Sequence, residues 1–209
     1  MRLRAAVRPA AQGIAIALGI TGAAFALLAL GLPRTSEDDR LALRVLAELR
    51  GPSGIRGAEL QIGTRRLIAH CRKVAPGRSV VTISNGARLV VRGTRIKSFT
   101  GARSSGRALT SRAALEESEL RSAQVDLAGI RGLYAAQLRG RLLRGEDVYL
   151  GETTVAGVSA HRFRLGRDQP RLELLVEQET LTPLAARYES RRLKGMSRLL
   201  PATGRRRAC

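Results

Sequence analysis

An α+β protein is predicted, with one antiparallel sheet covered on a single face, helices packed against that face, and an apolar helix ahead of the whole. Three observations predict it. Period-two alternation fills two separate blocks, from Gly57 to about Thr100 and from Val148 onwards, and helical periodicity fills the stretch between them. The third is an uncharged run from Ala10 to Pro33. A chain of 209 residues with 44% hydrophobic residues is long and apolar enough for one ordinary domain around one core.

Arg2, Arg4 and Arg8 make residues 1–9 basic, and Gln12 and Thr21 are the polar interruptions in the run that follows. Ile14 to Leu32 are 19 residues, which as a helix reach roughly 29 Å, the thickness of a hydrocarbon core. Basic residues precede the run, while Arg34 is followed at once by Glu37, Asp38 and Asp39. The positive-inside rule then leaves residues 1–9 in the cytoplasm, makes 10–33 a single-pass transmembrane anchor, and puts 34–201 outside. A cleaved signal peptide is the alternative, with Ala24 to Ala26 or Ala29 to Gly31 as small residues for a cleavage site. Both readings place the working domain in the cell envelope, on the extracytoplasmic side. Residues 202–209 read as a disordered tail.

Ser36 ahead of three acids is a helix start, because a hydroxyl caps free amides and carboxylates suit the positive first turn. Leu41, Val45, Leu46 and Leu49 recur at helical spacing, and Arg50-Gly51-Pro52 ends the helix. Ala58, Leu60 and Ile62 then alternate with Glu59 and Gln61. After Gly63 the apolar set shifts to Leu67, Ala69 and Cys71, which predicts a bulge or bend at that glycine. In RSVVTISNGARLVVRG, Asn85-Gly86 predicts a hairpin with a type I′ turn, and TRIKSF adds a strand. Helices are predicted over 109–120 and from Val125 to about Arg144. In the second, Leu127, Ile130, Leu133, Tyr134, Gln137, Leu138 and Leu142 share a face, with Arg131, Arg139 and Arg141 off it. The last block reads as three β units: a hairpin at Ala156-Gly157, two strands around a turn ending at Pro183, and a further strand in RRLKGMSRLLPA. Leu172, Leu174 and Val176 alternate with Arg171, Glu173 and Glu177, and Leu184, Ala186 and Tyr188 with Arg187 and Glu189. One face is apolar and the other salt-rich.

The formal charge of +20 invites a nucleic-acid reading. However, 34 of the 37 bases are Arg, in a composition crowded with Ala, Leu and Gly, and they are spread along the chain. Six Phe and Tyr with no Trp are too few for stacking platforms. An extracytoplasmic domain also rarely meets nucleic acid, so no nucleic-acid partner is expected. The charge fits the cytoplasmic membrane better, as an anionic lipid surface.

No metal, nucleotide or dinucleotide motif occurs, so no cofactor, no metal and no catalytic residues are expected. His70 and Cys71 are neighbours on a strand and point to opposite faces, which rules out a dyad between them. Ser159 and His161 share a face without a placeable carboxylate. Glu116, Glu117 and Glu119 read as a solvated helix face. Cys71, in an apolar alternation, reads as a buried thiol; one disulfide with Cys209 is the alternative.

The order of elements resembles the extracytoplasmic LolA-like superfamily: lipoprotein carriers, lipid-binding lipoproteins of the LppX and LprG type, and RseB/MucB regulators. The likeness is carried by the export segment, the helix from Ser36 to Arg50, the hairpin VVTISNGARLVVRG, and the last block. There LGETTVAGVSAHRFRL is similar to the family's G-x-x-x-V-x-G-x-x-x-x-x-Y/F-x-L strand pair, and LELLVEQETLTPLAARY to its strand-turn-strand. The sequence departs from the lipoprotein members in lacking a lipobox cysteine and in its Arg-rich middle.

The resemblance implies a strongly curved half-barrel with helices on its concave face. It also implies non-catalytic, carrier-like binding of a lipid or lipidated protein in an apolar cavity. The inward candidates are Phe163, Leu165, Leu172, Leu174, Val176, Leu184, Ala186 and Tyr188. The alternative within the same fold is an RseB-like regulatory module that binds an envelope protein partner.

Overall fold

The computed structural model describes residues 36–51, 54–101, 111–166 and 169–201. The predicted basic segment 1–9, the span 10–33 and the tail 202–209 lie outside these residues. Among the described residues no helix is long and apolar enough to cross a membrane.

Helix α1 (Glu37–Arg50) opens on three acids in its first turn and buries Ala42, Val45, Leu46 and Leu49, as its spacing predicts. Five strands follow: β1 (Ile55–Ile62), β2 (Arg65–Ala75), β3 (Arg78–Ile83), β4 (Arg88–Arg92) and β5 (Arg95–Thr100). Then come α2 (Ser111–Leu127) and α3 (Arg131–Leu143). The chain ends in β6 (Tyr149–Val155), β7 (Val158–Arg164), β8 (Arg171–Glu177), β9 (Pro183–Glu189) and β10 (Lys194–Pro201). The ten strands form one curved, open, antiparallel sheet in the order β5-β4-β3-β2-β1-β10-β9-β8-β7-β6. The two β blocks of the sequence meet where β1 pairs with β10. One face is buried against the helices in a core that joins Val45 and Leu49 of α1, Leu127 of α2, and Tyr134 and Leu138 of α3 to Leu60, Leu89, Phe163 and Leu174 of the sheet.

Several local expectations change. At Gly63 the expected bulge or bend is a reversal of the chain into β2, with Gly63 at φ +57°. The Asn85-Gly86 hairpin forms, but it is not type I′, since Gly86 has positive φ and Asn85 does not. Residues 84–86 make a three-residue loop closed by Ile83 N–H to the Ala87 carbonyl, and Asn85 Oδ1 accepts the Ala87 N–H at 3.1 Å. Ala156 and Gly157 both have positive φ, so the primed geometry belongs to that hairpin.

The helices divide differently too: α2 runs on through Leu127, and α3 starts at Arg131. Gly129, at φ +74°, makes the elbow between them. A Cβ there would lie 3.2 Å from both Ile55 and Leu199, so only glycine lets the elbow seat on the β1–β10 junction. Arg131 and Arg141, predicted to lie off the apolar face, are buried. Arg131 donates to the Glu48 carbonyl and Arg141 to the Gly166 carbonyl and, at 2.8 Å, to the Glu146 carboxylate. They fasten α3 to α1 and to the loop after β7.

Nor is the outer face uniformly wet. Glu173 and Leu175 on β8 are buried there, with Arg162, Arg171 and Arg187 around the carboxylate. Cys71 is buried as predicted but is disulfide-bonded, not a free thiol. The chain's other cysteine, Cys209, lies outside the described residues.

Candidate ligand groove

The inward candidates from the alternation are placed as follows. Phe163, Leu165, Leu172, Leu174, Val176, Ala186 and Tyr188 are all buried in the core shared with the helices. Leu184 is half-buried. It stands at a register shift between β8 and β9, where Leu175 pairs with Ala185 and Val176 with Pro183, so it drops out of step with Ala186 and Tyr188.

Open space lies beside α3, on the face next to its core face. A groove of about 810 Å³ is bounded by the end of α1 (Leu49, Arg50 and Gly51), by α3, and by the tips of the β2–β3 and β4–β5 hairpins at Gly77 and Thr94. That volume falls within the roughly 300–1,000 Å³ of small-molecule sites. The two tips are joined by a 2.7 Å hydrogen bond from Gly93 N–H to the Gly77 carbonyl. The space exists because α3 presents Gly132, Ala135, Ala136 and Gly140 to it, small residues at helical spacing. Leu143 at one end is 74% exposed.

Arg50, Lys73, Arg131 and Arg139 line the groove, and among the described residues no carboxylate does. Arg131 is the buried one. Burial pulls its guanidinium below the ordinary arginine value, opposed by the Glu48 carboxylate 3.9 Å away. The groove therefore offers an apolar, small-residue floor and a cationic wall. Among the described residues its ionisable groups are guanidinium and ammonium groups. A smaller cavity of about 530 Å³ on the outer face of β10, β1 and β2 holds Ile68 and Met196, but it also includes Glu59, which sits opposite Arg198.

The residues considered for chemistry stay apart from this groove. His70 is exposed and Cys71 faces the core. His161 Nδ1 is 3.2 Å from the Tyr149 hydroxyl, within a ring cluster completed by Phe163. Among the described residues no group of three His, Cys, Asp or Glu is placed to hold a metal ion. The sequence reading missed the groove because it followed the apolar face of α3. The available signal was the Gly and Ala repeat on the neighbouring face.

No family model matches the chain, and no curated protein matches it. Among solved structures it is similar to MucB, with 21% identity and a TM-score of 0.42, over 81% of this chain and 60% of that one. A LolA superfamily protein from Nitrosomonas europaea shows 12% identity and a TM-score of 0.37, over 80% of this chain and 93% of that one. The lipoprotein LppX of Mycobacterium tuberculosis shows 12% and 0.36, over 76% and 91%. The chain spans about three-fifths of the MucB chain's length. The likeness is one of fold.

Proposed function

We propose that this chain is a non-catalytic, extracytoplasmic binding module that holds the acyl chain of a lipid or lipidated protein. It is held at the cytoplasmic membrane by residues 10–33 or released from it by cleavage. The observation that carries the reading is the groove itself, with Gly and Ala along its floor, four cationic side chains in its wall and, among the described residues, no carboxylate lining it. An acyl chain suits the floor, and an anionic head group suits the wall. In this reading the seven buried candidates are the wall that carries the helices, and the ligand lies beside α3, on the face next to its core face. The disulfide at Cys71 supports export, since such bonds persist in oxidising compartments.

Native mass spectrometry of the full chain after mild extraction tests this. An acyl-lipid adduct is expected, and Ala136→Trp, which fills the groove, removes it. A clean apo mass overturns the reading, and an adduct that survives Ala136→Trp assigns the lipid to residues 10–33 instead.

A second reading, a regulatory module for an envelope protein, is favoured by the open sheet. Among the described residues strands β5 and β6 each lack a neighbour on one side, and such edges accept a partner strand. Crosslinked membranes would then yield a stoichiometric protein partner and no lipid adduct.

A further inference from the structure

The tips beside the groove have a property the groove does not explain. From Leu60 to Leu115 the sequence has no Asp or Glu, and nine of its bases lie on β2 to β5. At the tips the register puts Arg78 opposite Arg92 and Arg92 opposite Arg95, three arginines in one cross-strand row. Like charges directly opposite one another destabilise a sheet. All three are exposed, as are Arg72 and Lys73 beside them, and among the described residues none of the five forms an ion pair. Within this cationic ring Val74 is 41% exposed, and Ala75 and Pro76 follow it at the tip.

A row of unneutralised arginines around an apolar tip lacks its counter-surface. We propose that the paired β2–β3 and β4–β5 tips dock on an anionic lipid bilayer. Head-group phosphates neutralise Arg78, Arg92 and Arg95 while Val74 and Pro76 enter the interface. A bilayer fits better than nucleic acid, because a phosphate backbone in water has no use for the apolar tip. In the sequence the run 10–33 is followed after Arg34, Thr35 and Ser36 by α1. The choice of a bilayer rests on reading residues 10–33 as an export segment, and it does not depend on what the groove holds. Docking at this place would bring the mouth of the groove to the head groups, since Lys73, Gly77 and Thr94 also line it.

The test uses the full chain in lipid nanodiscs, with a photo-crosslinking amino acid in place of Val74. Lipid adducts are read by mass spectrometry with and without phosphatidylglycerol in a phosphatidylcholine bilayer. Adducts are expected with phosphatidylglycerol and should fall at high salt. Each base contributes about fivefold to surface binding, so R78Q, R92Q and R95Q together should reduce the adduct by about a hundredfold. R191E with R192E, on the β9–β10 turn, should leave it unchanged. Circular dichroism and a retained groove adduct show that the triple variant is folded, so loss of docking is separable from loss of the groove ligand. Equal adducts in phosphatidylcholine alone, an adduct to protein instead of lipid, or full competition by duplex DNA at physiological salt would each overturn the proposal.

Discussion

The two ends of the sheet use arginine in opposite ways. Strands β2 to β5 carry nine bases and no acid; from Tyr149 to Pro201 there are again nine bases but six acids. In the second region Glu173 is 2% exposed and lies 2.6 Å from Arg171, 3.4 Å from Arg162 and 3.9 Å from Arg187. Glu189 meets Lys194 at 2.7 Å, and its carboxyl is held below the usual range by that ammonium. Four of the bases here, Arg162, Arg171, Arg187 and Lys194, lie against a carboxylate of the same region. In the first region, among the described residues, the Arg78–Arg92–Arg95 row forms no ion pair, and its register sets the three bases opposite one another. A count of arginines therefore says little about function until the carboxylates are placed.

The comparison breaks most visibly at Glu173. Glu173→Ala leaves three guanidinium groups around an emptied buried site, and should cost about 3 kcal/mol or more in chemical denaturation. A change below about 1 kcal/mol would mean that the cluster is not a structural hub. Next comes the junction between the regions, where Gly129→Ala forces a side chain into left-handed backbone against Ile55 and Leu199. A loss of about 2 kcal/mol is expected from the same measurement.

Asp126 lies beside that elbow, and burial pushes its carboxyl up to about 6, with the Gln137 side chain pulling partly back. Its folded value stands above the unfolded value near ~3.9, so folding favours the protonated form. The contribution of this carboxyl to stability should be greatest below about pH 4 and be lost as pH rises through 6, by at most about 3 kcal/mol. Asp126→Asn should flatten that slope and raise the thermal midpoint at pH 7; an unchanged slope would rule this carboxyl out as its source. The smallest effect is expected in the acid-free region. Arg92→Ala should change stability by less than about 0.5 kcal/mol, in the stabilising direction, because it relieves repulsion across the row.

Much of the fold was legible in the sequence because burial imposes periodicity. The helix at 37–50, the strands on either side of the helical middle, and the core positions Phe163, Leu172, Leu174, Val176, Ala186 and Tyr188 all follow from spacing. The errors have specific causes. Spacing cannot tell a turn from a bulge at Gly63, since both shift the apolar phase by one. It could not see that Gly129 breaks one helical run into two, because the glycine is demanded by Ile55 and Leu199, which are distant in sequence. Arg131, Arg141 and Glu173 read as exposed because each is charged. They are buried because a carbonyl or a counter-charge from another element meets them. The groove left the faintest trace, as small residues on one side of α3 mark a space only when something else forms the opposite wall.

The sequence by itself determined the classes of element, the single apolar face of the sheet and the excess of arginine, since these depend on each residue's own size, charge and position in a local period. Only the tertiary structure decided that β10 joins β1 to make one sheet, which arginines find carboxylates, and where the molecule stays open. Those outcomes depend on pairs of residues brought together across long stretches of chain, and no local pattern encodes them.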